Sequence, residues 1–470
     1  MNIKDFKNKK ITIMGLGLHG GGAGAAKFFS QAGARVLATD LRNKEELKES
    51  LEKLKGLPIK FVLGQHRSED FINTDLVVKN PAVSEKSKYL QLAQKNKAPI
   101  DTDVGIFFEL CPAPIIGVTG TKGKSTTASL IAKMLAQKYS KVILAGNIRA
   151  SVLEKLSEID KNSLVVLELS SWQLAGLRPH RKSPGTAVIT NIMPDHLNRY
   201  QTMAEYIEDK KCIFKWQKSK NYLILNYDDK IVRELNGSAK SQVIYFTAEN
   251  GPLEEIKGGF VKGDKIFLKK EAVCSLEDIN LAGQHNLNNV LAAVTTASLY
   301  GVSAKSIKKA LKKFKGLEGR LEIIAQINGV KYINDTTATT PEAVLAGLNS
   351  FSAKQGIILI AGGADKNLDF SQLAEKIVKK VKGLLLLPGT ATDKIETALE
   401  KIASSEDAIR IIKVSQMSEA VQEASKLAAT GDIVLLSSGA ASFGLFRHEF
   451  ERGEEFKKAV SLLKNLESGI

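Results

Sequence analysis

Residues 117–127 read GVTGTKGKSTT, and the fold turns on what this stretch does. An apolar run, IIGVT (115–119), leads into three glycines, Gly117, Gly120 and Gly123. A helix-forming run, KSTTASLIAKMLAQ (124–137), follows at once. A strand that passes through glycines into a helix start gathers backbone N–H groups and the helix dipole on one point, which suits an anion. Lys124 adds a compact charge for phosphate oxygens, and the Ser125 hydroxyl is of the type that reaches a magnesium ion. The usual phosphate loop has a glycine five positions before its Gly-Lys-Ser. Here Val118 stands in that place, so the spacing is a variant. A turn that only reverses the chain does not call for Lys-Ser-Thr-Thr at a helix start. The stretch predicts an ATP-binding loop formed by Gly120, Thr121, Lys122, Gly123, Lys124, Ser125 and Thr126.

Working outward, the same strand-then-helix rhythm recurs. KVILAGN (141–147), SLVVLELS (163–170), TAVITNI (186–192) and NYLILN (221–226) read as buried strands beside the loop. Before them, KITIMGLGLHGGGAGAAKFFSQAG (10–33) is a strand, a glycine turn and an Ala-rich helix, with ARVLATD (34–40) and DLVVKNPAV (75–83) as further strands. After them, GIILIAGGADK (356–366), GLLLLPGT (383–390) and DIVLLSSGAAS (432–442) each precede a helical pattern. This predicts three α/β units in series, the first opening as a doubly wound parallel sheet. The expected boundaries are 1–110, 111–317 and 318–470.

Gly15-x-Gly17-x-x-Gly20, with Asp40 at the end of the next strand, is a dinucleotide fingerprint in its proper context. It fits a nucleotide or nucleotide-sugar ligand, an NAD-type cofactor, or simply close packing of helix on strand.

The 470 residues are 43% apolar and 25% charged, enough to bury several cores. Their net charge of +16 draws polyanions, including phosphorylated metabolites. The lysines lie along helical stretches such as SAKSIKKALKKFKG (303–316) without interleaved aromatics, which reads as solvated faces rather than a nucleic-acid surface. No apolar run approaches the about 20 residues of a membrane-spanning helix. The lysine-led N-terminus lacks a signal-peptide cleavage site. Cys111, Cys212 and Cys274 are far apart and form no CxxC, so neither a zinc site nor a disulfide framework is expected. The expectation is a cytoplasmic, monomeric protein with no membrane or nucleic-acid partner.

Further blocks carry a resemblance. ELSSWQL (168–174), TNIMPDHLNRY (190–200), GQHNLNNVLAA (283–293), NDTTATTPEA (334–343), GGADKNLDF (362–370) and SSGAASFGLFRHEFERGEEF (437–456) together resemble the Mur ligase family. These are ATP-dependent amino-acid ligases of peptidoglycan synthesis, with the folylpolyglutamate synthases as further members. GLGLHGGG, the chain length and the final Ser-Phe block resemble those that add D-glutamate. The resemblance implies UDP-N-acetylmuramoyl-L-alanine and D-glutamate as substrates and ATP with two Mg²⁺ ions as cofactors, by way of an acyl phosphate. It implies that Ser125 and Glu168 hold one ion, and that His196 and a carbamylated Lys210 hold the other. Lys124, Glu168, His196, Lys210 and Arg320 would then be catalytic. Asn286, Asn289, Arg320 and Asp335 would hold the rest of ATP, and Thr339, Lys366, Ser442 and Phe443 would hold D-glutamate. Leu18, His19, Asp40 and Arg42 would hold the uridine nucleotide, and Asn147 would stand where the sugar and diphosphate enter. The resemblance thus implies a Rossmann-like first unit for the UDP-sugar, a phosphate-loop ATPase-type centre for ATP and a Rossmann-like last unit for the amino acid.

The residues themselves support two of these roles. Glu168 closes an apolar strand, where an acid is costly unless a cation meets it or it caps a helix. At about 100° per residue, Tyr206, Ile207, Ile213 and Phe214 form one helical face with Lys210 near its centre, and Lys211 falls about 100° away. The chain also departs from the family at three places: Arg149 follows Gly-Asn-Ile, Thr337 stands where a lysine is usual, and Phe450 comes one residue late. The competing readings are a folylpolyglutamate synthase, an NAD-dependent oxidoreductase and a non-catalytic nucleotide-gated binding protein. The first would lack a separate N-terminal unit, and the second leaves the Lys124 loop unexplained.

Overall fold

The protein is described from a computed structural model, which covers residues 1–17, 20–146, 151–194, 200, 202–249, 256–279, 281, 285–352, 355–365, 368–402 and 409–468. Of the residues singled out above, Leu18, His19, Asn147, Arg149, His196 and Lys366 lie outside this set. Two compact units emerge. Met1–Ile279 with Leu287–Lys312 form the first, and Asn280–Asn286 with Lys313–Ile470 form the second.

The first unit contains two large sheets. β1 (Lys10–Met14), β2 (Arg35–Asp40), β3 (Ile59–Leu63), β4 (Leu76–Lys79) and β5 (Ile100–Asp101) pair in the order β3-β2-β1-β4-β5, all parallel. The second sheet uses β6 (Ile115–Thr119), β7 (Val142–Gly146), β8 (Leu164–Glu168), β9 (Thr186–Ile189), β10 (Tyr222–Asn226) and β11 (Gln242–Phe246). Its order is β11-β10-β9-β6-β8-β7, again parallel throughout. Every residue of β6, β8 and β9 is buried, as expected of strands covered on both faces. A small antiparallel sheet follows, β12 (Gly259–Lys262), β13 (Lys265–Leu268) and β14 (Glu271–Ser275). The sequence reading passes over it because its short strands carry lysine and glutamate.

A common apolar cluster joins the two large sheets, with Phe29, Phe107, Val152 and Leu153 among its members. The helix Gly21–Gln31 lies against the 3-10 segment Val152–Glu158. Gly24 permits this approach, since a Cβ there would collide with the side chains of Ser151 and Glu154. The Ser151 hydroxyl donates to Asp103 Oδ2 at 3.0 Å, and burial raises the Asp103 carboxyl above its ordinary range against that bond.

His180 forms a second tie. Its Nε2 meets Asp101 Oδ1 at 2.8 Å and its Nδ1 meets Glu109 Oε1 at 3.0 Å, while Lys182 holds the other Glu109 oxygen at 2.9 Å. The bond to Asp101 raises the imidazole pKa above 6.5 despite partial burial. A group with a raised folded pKa contributes stability that is complete below the unfolded value and lost as pH rises through the folded one. The protein should therefore exceed His180→Gln in melting temperature by about 2–4 °C near pH 6, and the gap should close toward pH 8.5. A gap that stays constant over that range, in thermal unfolding followed by circular dichroism, would remove the charge from this tie.

The second unit holds β15 (Glu322–Ile327), β16 (Val330–Asn334), β17 (Ile357–Gly362), β18 (Val381–Leu387), β19 (Arg410–Lys413) and β20 (Ile433–Leu436), in the order β15-β16-β20-β17-β18-β19. The last five strands in that order are parallel, but β15 and β16 form an antiparallel hairpin. Asn328 and Gly329 turn it with φ of 50° and 78°, the left-handed pair that a two-residue hairpin favours. The sheet is therefore mixed. Among the described residues, no helix is long and apolar enough to cross a membrane.

Candidate active site

β6 delivers the loop of residues 120–123 to the start of the helix Lys124–Leu135. Gly123 enters that helix at φ 83°, and a Cβ there would run into the Asn289 amide. Glycine at this position is thus required twice over. Asn289 itself is buried and accepts from the Thr127 hydroxyl at 3.3 Å, so the helix His285–Leu299 braces the loop from behind.

The segment after β9 forms the other wall. The Thr190 hydroxyl donates to the Lys122 carbonyl at 2.7 Å, and Asn191 both accepts from the Lys122 N–H at 2.8 Å and donates to its carbonyl. The Thr121 N–H reaches the Asn191 carbonyl at 2.9 Å. Through these bonds the Thr-Asn pair at 190–191 shapes the loop.

Two ammonium groups converge on one carbonyl. Lys124 donates to Gly120 O at 3.2 Å and to Thr121 O at 3.0 Å, and Lys210 donates to Gly120 O at 2.9 Å. Lys210 is 1% exposed and lies 4.5 Å from the ring centre of Tyr206, whose hydroxyl bonds Thr121 Oγ1 at 3.2 Å. Its neighbour Lys211 turns outward and pairs with Glu208 at 2.7 Å. The expected inward lysine is therefore the observed one. The element is shorter than the periodicity implies, because the helix Met203–Lys211 stops before Ile213 and Phe214, and these are buried from the turn that follows.

Glu168 ends β8 in register with Val118 of β6, two residues before Gly120, and is 2% exposed. Its motif partners Ser170 and Gln173 form a capping box on the short helix Ser171–Ala175. Those two are structural. Sequence reasoning missed Asp209, which is buried beside Lys210 and accepts from Tyr200 Oη at 2.8 Å and from Arg178 at 2.6 Å. Among the described residues no group of three His, Cys, Asp or Glu side chains forms a metal cage. The candidate donors beside the loop, the Ser125 hydroxyl and the Glu168 carboxylate, are hard oxygens of the kind Mg²⁺ takes alongside water and phosphate.

In the first sheet, Asp40 accepts the Gly17 N–H at 3.1 Å and the Arg42 N–H at 3.0 Å, so its carboxylate braces the glycine turn. Arg42 stands half-exposed 3.5 Å from it. In the second unit, Asp335 accepts from Ser437 at 2.8 Å and from the Leu321 N–H at 3.2 Å. Burial lifts its carboxyl to about 7, against those bonds and the nearby Arg320 charge. Arg320 is exposed, Asn286 and Ser442 are buried, and Phe443 is 57% exposed. Thr337, in place of the usual lysine, bonds the Gly319 carbonyl at 2.8 Å.

Three family models match in succession: Mur ligase MurD-like N-terminal domain over 9–101, Mur ligase middle domain over 118–297, and Mur ligase glutamate ligase domain over 319–440. The UDP-N-acetylmuramoylalanine–D-glutamate ligase of Roseiflexus sp. (strain RS-1) is 44% identical over 96% of this chain and 98% of its own. The chain belongs to the Mur ligase family. The ligase of the same name from Acetivibrio thermocellus is 38% identical over 98% of both chains. Among solved structures, UDP-N-acetylmuramate–alanine ligase from Thermotoga maritima has a TM-score of 0.61 at 19% identity, covering 97% of this Mur ligase chain and 100% of its own. A pseudomurein peptide ligase from Methanothermus fervidus has a TM-score of 0.56 at 20% identity, with the same coverage. These two likenesses speak for the fold.

Proposed function

We propose that this Mur ligase joins D-glutamate to UDP-N-acetylmuramoyl-L-alanine, converting ATP to ADP and phosphate, in the making of peptidoglycan precursors. The observation that carries the reading is full-length similarity to D-glutamate ligases with the Lys124 loop intact. The match to a MurD-like N-terminal domain, and the separate sheet β1–β5, favour it over a folylpolyglutamate synthase. The three domains are assigned as 1–110 for the UDP-sugar, 111–317 for ATP and 318–470 for D-glutamate. Its substrates are cytoplasmic metabolites, and we place a monomeric enzyme there.

The L-alanyl carboxylate attacks the γ-phosphorus to give an acyl phosphate, and the amine of D-glutamate then displaces phosphate. Two anions must meet, so the protein's task is to neutralise charge and hold the groups in line. The N–H groups around Gly120–Ser125 cradle the phosphates, and Lys124 sets its ammonium beside them. Ser125 and Glu168 would hold Mg²⁺, which when bound offsets the charge of the transferring phosphoryl group. Lys210 has the burial and direction of a residue acting at this loop. Its amine adds to CO₂ with loss of a proton, and the resulting carbamate oxygens, with His196, would hold a second ion where an ammonium would repel it. The remaining residues named from the sequence belong to the same proposal: Asn286, Asn289, Arg320 and Asp335 for ATP, Thr339, Lys366, Ser442 and Phe443 for D-glutamate, and Leu18, His19, Asp40, Arg42 and Asn147 for the UDP-sugar.

Phosphate release from ATP with UDP-N-acetylmuramoyl-L-alanine tests it, with D-glutamate, L-glutamate, L-lysine and glycine compared. D-Glutamate should be used at least about 100-fold better than the others in kcat/KM. Equal use of L-lysine would assign the chain to a different step of the same synthesis.

A further inference from the structure

Arg452 is among the largest fully buried side chains of the protein, at 1% exposure. It sits in the final helix, Glu449–Ser468, where FERGEEFKK reads as a solvated charged face. The fork is instead turned inward. Nε donates to the Thr336 hydroxyl at 3.1 Å, Nη2 to the Thr336 carbonyl at 2.8 Å and Nη1 to the Ala440 carbonyl at 3.2 Å. All three acceptors are neutral. Burying a cation is costly without a carboxylate to meet it, and burial holds the Arg452 pKa down at about 10 with Glu449 as the opposing charge. Gly453 lets the helix come this close, since a Cβ there would lie 2.8 Å from Thr336 Cγ2 and 3.0 Å from Asn334 Nδ2.

The acceptors belong to two loops, one after β16 and one after β20, which are adjacent parallel strands. Such loops at the C-terminal ends of parallel strands are where open α/β sheets bind ligands. Ala441, next to Ala440, exchanges backbone bonds of 2.9 and 3.0 Å with Ala364, so the loop after β17 is tied in as well. Thr339 stands three residues beyond Thr336, and Ser442 two beyond Ala440. One guanidinium therefore pins the backbone from which the proposed D-glutamate contacts project.

We infer that Arg452 is a positioning and specificity-determining residue for the amino-acid substrate: its fork fixes the loops after β16 and β20, and its buried charge, bonded only to neutral groups, biases that end of the sheet toward an acidic amino acid. The inference rests on the D-glutamate ligase reading. A protein that merely needed to fill this space would have no reason to bury a cation between two carbonyls.

The experiment uses the full chain, wild type first, since wild-type turnover of D-glutamate tests the parent reading separately. Arg452→Gln should raise the KM for D-glutamate about 10–100-fold and leave the KM values for ATP and the UDP-sugar within about 3-fold. Its preference for D-glutamate over the neutral D-glutamine should shrink about 10-fold. Arg452→Lys, which keeps the charge and loses the fork, should raise the D-glutamate KM less and keep the D-glutamate over D-glutamine preference. If Arg452→Gln does not fold, Arg452→Lys decides by the same two readouts. An unchanged D-glutamate KM, or a parallel fall of every constant with the melting temperature, would make Arg452 a packing residue only.

Discussion

Lys124→Ala abolishes turnover, by about a thousand-fold or more, and leaves the melting temperature within a few degrees of wild type. The two effects separate because of where the ammonium sits. It is half-buried at the mouth of a helix, and its own bonds are to the Gly120 and Thr121 carbonyls of the loop it serves. Losing these part-buried bonds costs about 1 kcal/mol in folding, a small part of the stability of a unit this size. The loop keeps its shape through Thr190, Asn191 and Asn289, none of which depends on Lys124. Lys122, the loop's other lysine, is exposed, and Lys124 is the half-buried charge assigned to the phosphoryl group. Phosphate release and thermal unfolding, measured on the same preparation, check both halves. Near-normal release would end the reading of residues 117–127 as a catalytic phosphate site.

Adjacent lysines give the second large effect. Lys210→Ala should lose about a thousand-fold in kcat, whereas Lys211→Ala should stay within about 3-fold of wild type. Lys210 is enclosed and aimed at the Gly120 carbonyl, while Lys211 forms a surface pair with Glu208 of the type that contributes little. A structural lysine would show the same contrast in stability alone. The carbamate makes a further demand: added formate or acetate should restore part of the Lys210→Ala activity by supplying the missing carboxylate oxygens. Activity of Lys210→Ala without rescue, or an inactive Lys211→Ala, would reject the assignment.

The apolar strands were legible because burial on both faces writes itself as an unbroken run, as in LVVLE and IILIAG. Strands open to solvent leave no such trace. IKFVL in β3 and RIIK in β19 are mostly exposed or half-buried, and the strands of the β12–β14 meander are four or five residues long without regular alternation of buried and exposed positions. The glycine loop is legible from its chemistry at a variant spacing, and Lys210 from the family resemblance, with helical period separating it from Lys211. Yet Ile213 and Phe214, which helped to define that face, are buried from beyond the helix end. Asp40 shows a limit of motif reading, since the motif does not tell that its carboxylate also accepts the backbone N–H groups of Gly17 and Arg42. Arg452 shows another. Nothing in a run of alternating charges tells which one a neighbouring loop will enclose.

Gly24 carries a consequence larger than its size. By admitting Ser151 and Glu154 against the helix that starts at Gly21, it helps to seat the first sheet on the second within one compact unit. The gap between the Gly15–Gly17 turn and the Gly120–Gly123 loop is then a dimension of the protein and not of its ligand. In the proposed reaction, an acceptor held at one end and reacting at the other must match that gap. The pair of sheets works as a calliper, and reach, as well as chemical identity, becomes a property on which acceptors are chosen.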